Sequence, residues 1–409
     1  MVTSLLLFSI FVEGPVYKTS RIDITPPEPL PLGGYTSRGE AVFEPGGERL
    51  YARTFLFEDS DLQVALVSVE MLTIPESLVK AVKAHVAPKV KVMLVATHTH
   101  SAPDSQMLNE RMTFKVPGIA TVKRRWLDWY AERIATGIND AIASEGTDAR
   151  TLVLAKAEVD TNHGRREGAV PDKTAIWLTA SGKPLITLYS AHATVLEADN
   201  ALTSGDWPGR TAAAMGGLVL PGAIGDVAPN LVGANDVEKL QNIVEKLSSG
   251  LAAAQVWDLS YAARGYAFVT EAISLDKPVP HPEFAKTFGA GKPFDQVLID
   301  KFAPIEATVT LFRLGDLLIV GIPGEPTSEI GRKVQVLGQE QGFPHTVAVS
   351  HCNGWIGYVL EPEDYDRGGY EATLAFHGRE TATKVIEAVK RAMIRMAQPA
   401  ALRREVHVR

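Results

Sequence analysis

The chain has 409 residues, 45% hydrophobic and 22% charged, proportions that suit a globular core and exclude disordered, collagen-like and coiled-coil classes. Lys and Arg total 41 against 48 Asp and Glu, a formal charge of −7 with no basic run able to follow a phosphate backbone, which argues against a nucleic-acid partner. No apolar stretch reaches the roughly 18 residues of a membrane span, and the single cysteine, Cys352, excludes an internal disulfide and a Cys-rich zinc site.

In chain order, residues 5–12 have the length of a signal-peptide core, yet no Lys or Arg precedes them and Val12-Glu13-Gly14 is a poor cleavage site. Residues 1–20 therefore read as an N-terminal segment; the apolar start leans toward export and leaves a cytoplasmic location open. Short, mostly β-branched apolar runs predict strands at 52–57, 62–69, 90–96, 151–157, 185–189, 218–224, 307–312, 317–322 and 346–350. Helical patterns cover 76–86, 125–142, 210–217, 237–256, 327–338 and 380–396. Within 125–142, Trp126, Trp129, Tyr130, Ile134, Ile138 and Ile142 recur three and four apart, an apolar stripe for core packing. The alternation predicts an α/β fold, a mixed and largely parallel sheet core with flanking helices, as one domain over 21–409. The Pro- and Gly-containing stretch 278–294 reads as a long surface insertion.

Residues able to bind a metal follow the predicted strands. The run 90–96 leads into Thr97-His98-Thr99-His100, where period-two geometry puts both imidazoles on one face, to share a metal or to divide ligation and proton transfer. The run 185–189 leads to His192, and Ser204-Gly205-Asp206-Trp207-Pro208 follows, with Asp206 either a helix cap or a neighbour of the metal. Glu325 comes after 317–322, in the first turn of a predicted helix, where a carboxylate also suits the helix dipole. His351 and Tyr358 come after 346–350. Convergence of polar groups beyond strand C-termini is where open α/β sheets place their active sites.

From about Arg21 to Gly378 the chain resembles the neutral (non-lysosomal) ceramidases, zinc amidases. Ala96-Thr97-His98-Thr99-His100-Ser101-Ala102-Pro103 is similar to that family's A-T-H-T-H-S-G-P signature, Ser190-Ala191-His192-Ala193-Thr194 to its second-histidine segment, and Pro323-Gly324-Glu325 with Thr327 to its P-G-E-x-T block. Tyr358-Val359, then Pro362-Glu363-Asp364-Tyr365 and Tyr370-Glu371, resemble Y-V, P-E-E-Y and Y-E-G. The resemblance implies one Zn2+ ligated by His98, His192, Glu325 and the phenolate of Tyr358, with His100 beside it. It also implies an arginine facing the scissile carbonyl, assigned to Arg165 with adjacent Arg166 as the alternative.

Two departures stand out. The family's G-D-x-S-P-N segment carries a serine proposed as nucleophile, and this chain has Ala228 there; the family's C-terminal immunoglobulin-like domain is expected to be absent, since the sequence ends soon after 380–396. The expected activity is hydrolysis of the amide of an N-acyl small molecule by metal-activated water, His100 transferring protons and Arg165 and Tyr370 stabilising the oxyanion. Esterase or lactonase action on the same site, a non-catalytic zinc protein, and a two-metal phosphoesterase built on His98, His100 and Asp206 remain as alternatives.

Overall fold

The computed structural model describes residues 14–116, 118–259, 265–288 and 294–398; the apolar run at 5–12 lies outside them. Among the described residues the apolar runs build three large sheets. The first orders β1 (Val16–Asp23), β2 (Tyr51–Glu58), β3 (Gln63–Val69), β4 (Val90–Ala96) and β5 (Thr147–Asp148) as β4-β3-β2-β1-β5. The second takes β6 (Leu152–Glu158), β8 (Thr174–Ala180), β9 (Lys183–Tyr189), β10 (Leu218–Pro221) and β12 (Gln255–Asp258) as β10-β9-β8-β6-β12. The third is β13 (Tyr266–Ala272), β14 (Thr308–Leu314), β15 (Leu317–Gly321) and β17 (His345–Val349), in that spatial order. Two short pairs join β7 (Asn162–Gly164) to β11 (Val227–Pro229) and β16 (Glu325–Pro326) to β18 (Tyr358–Val359).

The mixed α/β class stands, but the parallel share is smaller than expected: pairing is mostly antiparallel, and short turns join β2 to β3, β8 to β9 and β14 to β15. Between β2 and β3, for example, the Asp59 N–H donates to Leu62 O at 2.9 Å. Each large sheet keeps one parallel pair where a helix intervenes, as parallel crossovers require. These are β3/β4 across α1 (Glu76–Ala84), β9/β10 across α3 (Asp206–Met215), and β15/β17 across α7 (Ser328–Glu340).

The inner faces of the three sheets meet in one cluster: Phe55, Phe57 and Met93 from the first, Leu154, Leu178 and Leu220 from the second, Phe312, Ile319 and Val349 from the third. Helices cover the outer faces. Leu78 and Val82 of α1 pack with Trp126, Tyr130, Ile134 and Ile138 of α2 (Arg124–Ala143) on the first sheet, the predicted stripe turned inward. Trp207 of α3 and Leu240, Ile243 and Leu247 of α4 (Asp236–Ala252) cover the second; Ile330 and Val334 of α7 and Val385 and Val389 of α10 (Thr381–Ala397) cover the third. Strands buried on both faces read as unbroken apolar runs.

Two expected boundaries move. The division at residue 20 falls inside β1, which pairs with β2 along its whole length. The stretch 278–294 is partly built in: α5 (Phe284–Phe288) and α6 (Phe294–Phe302) bury Phe284, Leu298 and Ile299 against Met112, Val116 and Phe376. Glu283 Oε2 accepts the Gly369 N–H at 3.1 Å, where the turn after α8 (Pro362–Asp366) enters α9 (Tyr370–Thr373).

Candidate metal centre

The C-terminal ends of the three parallel pairs converge. Beyond β4 the chain does not continue as a strand; His98 adopts a left-handed φ of 64°, and this turn, not the period-two alternation expected, brings the imidazoles of His98 and His100 together with Nε2 atoms 3.3 Å apart. Beyond β9, His192 hydrogen-bonds the Val227 carbonyl through its main-chain N–H at 3.1 Å and its Nδ1 at 2.9 Å. Beyond β15, Glu325 lies in β16, in register with Tyr358 of β18, and α7 starts only at Ser328. Glu325 is therefore not in a helical first turn, and the helix-dipole account of it falls away.

His98 Nε2, His192 Nε2 and Glu325 Oε2 share one point: the carboxylate oxygen is 3.6 Å from the first nitrogen and 3.3 Å from the second, and all three side chains are buried. A tetrahedral zinc with bonds of about 2.0–2.1 Å has ligand–ligand edges of about 3.3–3.4 Å. Nδ1 of His98 is 2.8 Å from Leu72 O, so both histidines give their Nδ1 proton to a carbonyl and turn an Nε2 lone pair inward. His192 Nε2 and Glu325 Oε2 have no hydrogen-bond partner of acceptable geometry. Two lone pairs and a buried carboxylate facing one another are unfavourable unless a cation lies between them, so these residues fit a metal ion. Burial pulls the His98 pKa down and that of His192 to about 4, keeping both neutral as ligands at pH 7.

The other expected residues surround this group. His100 stands against Tyr35, ring centroids 4.7 Å apart, and a Cβ on Gly34 would come within 2.4 Å of its Nδ1, so only glycine admits the ring. Arg38 fixes the same loop, donating to the carbonyls of His100, Gly33, Ala198 and Glu197. Arg165 donates from Nη2 to Tyr358 Oη at 2.9 Å and to Gly225 O at 2.8 Å, and from Nε to Glu371 Oε1 at 2.9 Å. Burial raises the Tyr358 phenol well above its ordinary value, and the Arg165 guanidinium opposes that shift. Arg166 instead binds Glu371 Oε2 and the carbonyls of Asp364 and Gly368. Tyr370, half exposed on α9, has its ring centroid 6.1 Å from that of Tyr358.

Asp206 is not part of the group. Its carboxylate accepts the main-chain N–H groups of Leu196, Trp207 and Val195, tying the loop after His192 to α3, so the set His98, His100 and Asp206 does not form a two-metal site. Ser204 Oγ is engaged by Glu48 and the Asp206 N–H. Ala228 lies in β11 opposite His163, next to the carbonyl that holds His192. Sequence reasoning assigned no role to two residues that the structure brings in. His351, fully buried, stacks on His98 with centroids 4.1 Å apart, and Trp355 donates from Nε1 to Glu325 Oε1 at 3.0 Å. The position of His351 at a strand end was the available signal; for Trp355 there was none.

No family model matches the sequence. Neutral ceramidase 1 of Arabidopsis thaliana is 28% identical over 127 residues, 29% of this chain and 16% of that protein. The neutral ceramidase of Mycobacterium tuberculosis is 31% identical over 94 residues, 20% of this chain and 14% of that protein. The matched segments thus span less than a sixth of either relative's length. Among solved structures, the neutral ceramidase from Pseudomonas aeruginosa superimposes with a TM-score of 0.76 at 18% identity, covering 94% of this chain and 74% of that one. A ceramidase complexed with C2 gives 0.75 at 17%, covering 97% and 78%. Matched in segments by sequence and over nearly its whole length by fold, this is a neutral-ceramidase-like chain.

Proposed function

We propose that the chain is a zinc-dependent hydrolase that cleaves the amide bond of an N-acyl compound, with one zinc per chain held by His98, His192, Glu325 and Tyr358. The observation that carries this reading is the buried, inward-facing donor set His98, His192 and Glu325, with His192 Nε2 and Glu325 Oε2 unpartnered, on the fold of the neutral ceramidases. Zinc held there supplies Lewis acidity toward a carbonyl oxygen and lowers the pKa of a water to about 7. The chain's own residues do the rest. His100, 3.3 Å from His98 Nε2, takes and returns the proton; Arg165 and Tyr370 donate to the carbonyl oxygen as charge builds on it. Water is the nucleophile, since Ala228 has no hydroxyl and that of Ser204 is held by Glu48.

The test is metal analysis joined to hydrolysis assays on short N-acyl amines, ceramide and p-nitrophenyl esters, with and without a chelator. One zinc per chain and amide cleavage lost on chelation are expected. A zinc-replete protein inert toward every amide, cleavage that survives chelation, or two metals per chain would overturn the reading.

A further inference from the structure

Adjacent in sequence, Arg165 and Arg166 are separated in role by a single carboxylate. Glu371, whose side chain is 7% exposed, takes Arg165 Nε on Oε1 at 2.9 Å and Arg166 Nη1 on Oε2 at 2.7 Å. Arg166 spends its remaining bonds on Asp364 O and Gly368 O, inside the turn between α8 and α9. Arg165 is held along two edges of its planar guanidinium: Nε on Glu371, and Nη2 on both Gly225 O and Tyr358 Oη. Among the described residues none accepts from Nη1, so the clamp fixes the direction of the one amino group left for a ligand.

We propose that Glu371 is a positioning residue: its carboxylate, shared between two guanidiniums, draws Arg166 out of the site and sets Arg165 with Nη1 aimed at the substrate carbonyl. This rests on the reading that Arg165 donates to that carbonyl. Without the carboxylate the two guanidiniums lose their shared counterion, only Arg166 keeping a more distant one in Asp364 Oδ1 at 4.0 Å, and Arg165 regains rotamer freedom. An oxyanion donor is effective only when it is in place before the charge develops.

The experiment uses the zinc-loaded full chain. Glu371→Gln should lower kcat on a short N-acyl amide about tenfold, with KM within twofold and zinc content unchanged, and Glu371→Asp, which keeps the charge, should recover most of the loss. Arg165→Ala leaves a vacancy bounded by Glu371, Gly225 O and Tyr358 Oη, so guanidinium chloride at millimolar concentration should raise its kcat severalfold. That rescue should vanish in Arg165→Ala/Glu371→Gln. Equal rescue in the two backgrounds, or an unchanged kcat in Glu371→Gln, would overturn the proposal. A second readout needs no turnover: in 15N-arginine-labelled, metal-stripped protein, the Nε–H resonance identified by its loss in Arg165→Ala should shift or broaden in Glu371→Gln. A resonance that stays in place refutes the clamp even if amide hydrolysis is confirmed, whereas a shift without any amide cleavage refutes the assigned activity and leaves the clamp standing.

Discussion

A histidine that gives its Nδ1 proton to a backbone carbonyl has one thing left to offer, and His98 and His192 both offer it to the space in front of Glu325. Truncating one of the four proposed protein donors leaves a three-ligand remnant that holds a metal poorly, so His192→Ala and Glu325→Ala should lose metal and hydrolysis together, metal affinity falling at least about a hundredfold. Elemental analysis of the dialysed variants checks this; full occupancy in either would refute the ligand assignment. Ala228 leads to a kinetic expectation. Without an activated hydroxyl no acyl-enzyme forms, so pre-steady-state assays should show no burst of first product and intact-mass analysis no acyl adduct. Trapping an acyl group on any side chain would overturn direct attack by water. His98, His192 and Glu325 were legible in the sequence because each follows an apolar run closely enough to be placed at a strand end. Glu371 was not: it reaches Arg165 across 206 residues, a partnership that no local pattern encodes.

Pro323-Gly324-Glu325-Pro326 looks like a helix start, and what overrides that local signal is the pairing of β16 with β18: Glu325 N–H donates to Gly357 O and Thr327 N–H to Val359 O, both at 3.0 Å. Asp206 shows the same tension at the start of α3. Burial raises its pKa from 3.8 to about 6 against the three main-chain N–H groups that it accepts, and Glu48 adds to the rise. A carboxyl whose folded pKa lies above its unfolded one is held more tightly as the neutral acid by the folded state. Its contribution to stability is therefore greatest below about pH 4, declines as pH rises to about 6 and is level beyond, a change on the order of 3 kcal/mol. In urea titrations between pH 4 and 7, Asp206→Asn should lack this decline relative to the parent. Parallel stability–pH curves for the two proteins would show that the buried carboxyl does not titrate in that range.

At the scale of the molecule, the sequence supported an α/β fold with helices outside, and that much is present. The division into three sheets was not legible, because strands pressed between a shared inner core and an outer helix layer carry the same doubly apolar signature whichever sheet they join. One consequence concerns stability. His98 extends from the first sheet, His192 from the second and Glu325 from the third, so a bound ion ties all three together. Since a ligand that binds only the folded form stabilises it by mass action, stripping the metal should lower Tm by several degrees, and zinc should restore it; a scanning-calorimetry trace indifferent to chelation would contradict this. The same arrangement also has a meaning in time. The first and last of these three donors are 325 − 98 = 227 residues apart along the chain, and at about 5–20 residues per second a ribosome takes about 10–45 s to cover that distance. Throughout that interval the nascent polypeptide displays at most two imidazoles of the set, too few to retain an ion against the surrounding pool. If the centre holds a metal as proposed, it is completed only once Glu325 has been made, and the ion it receives depends on supply where folding finishes.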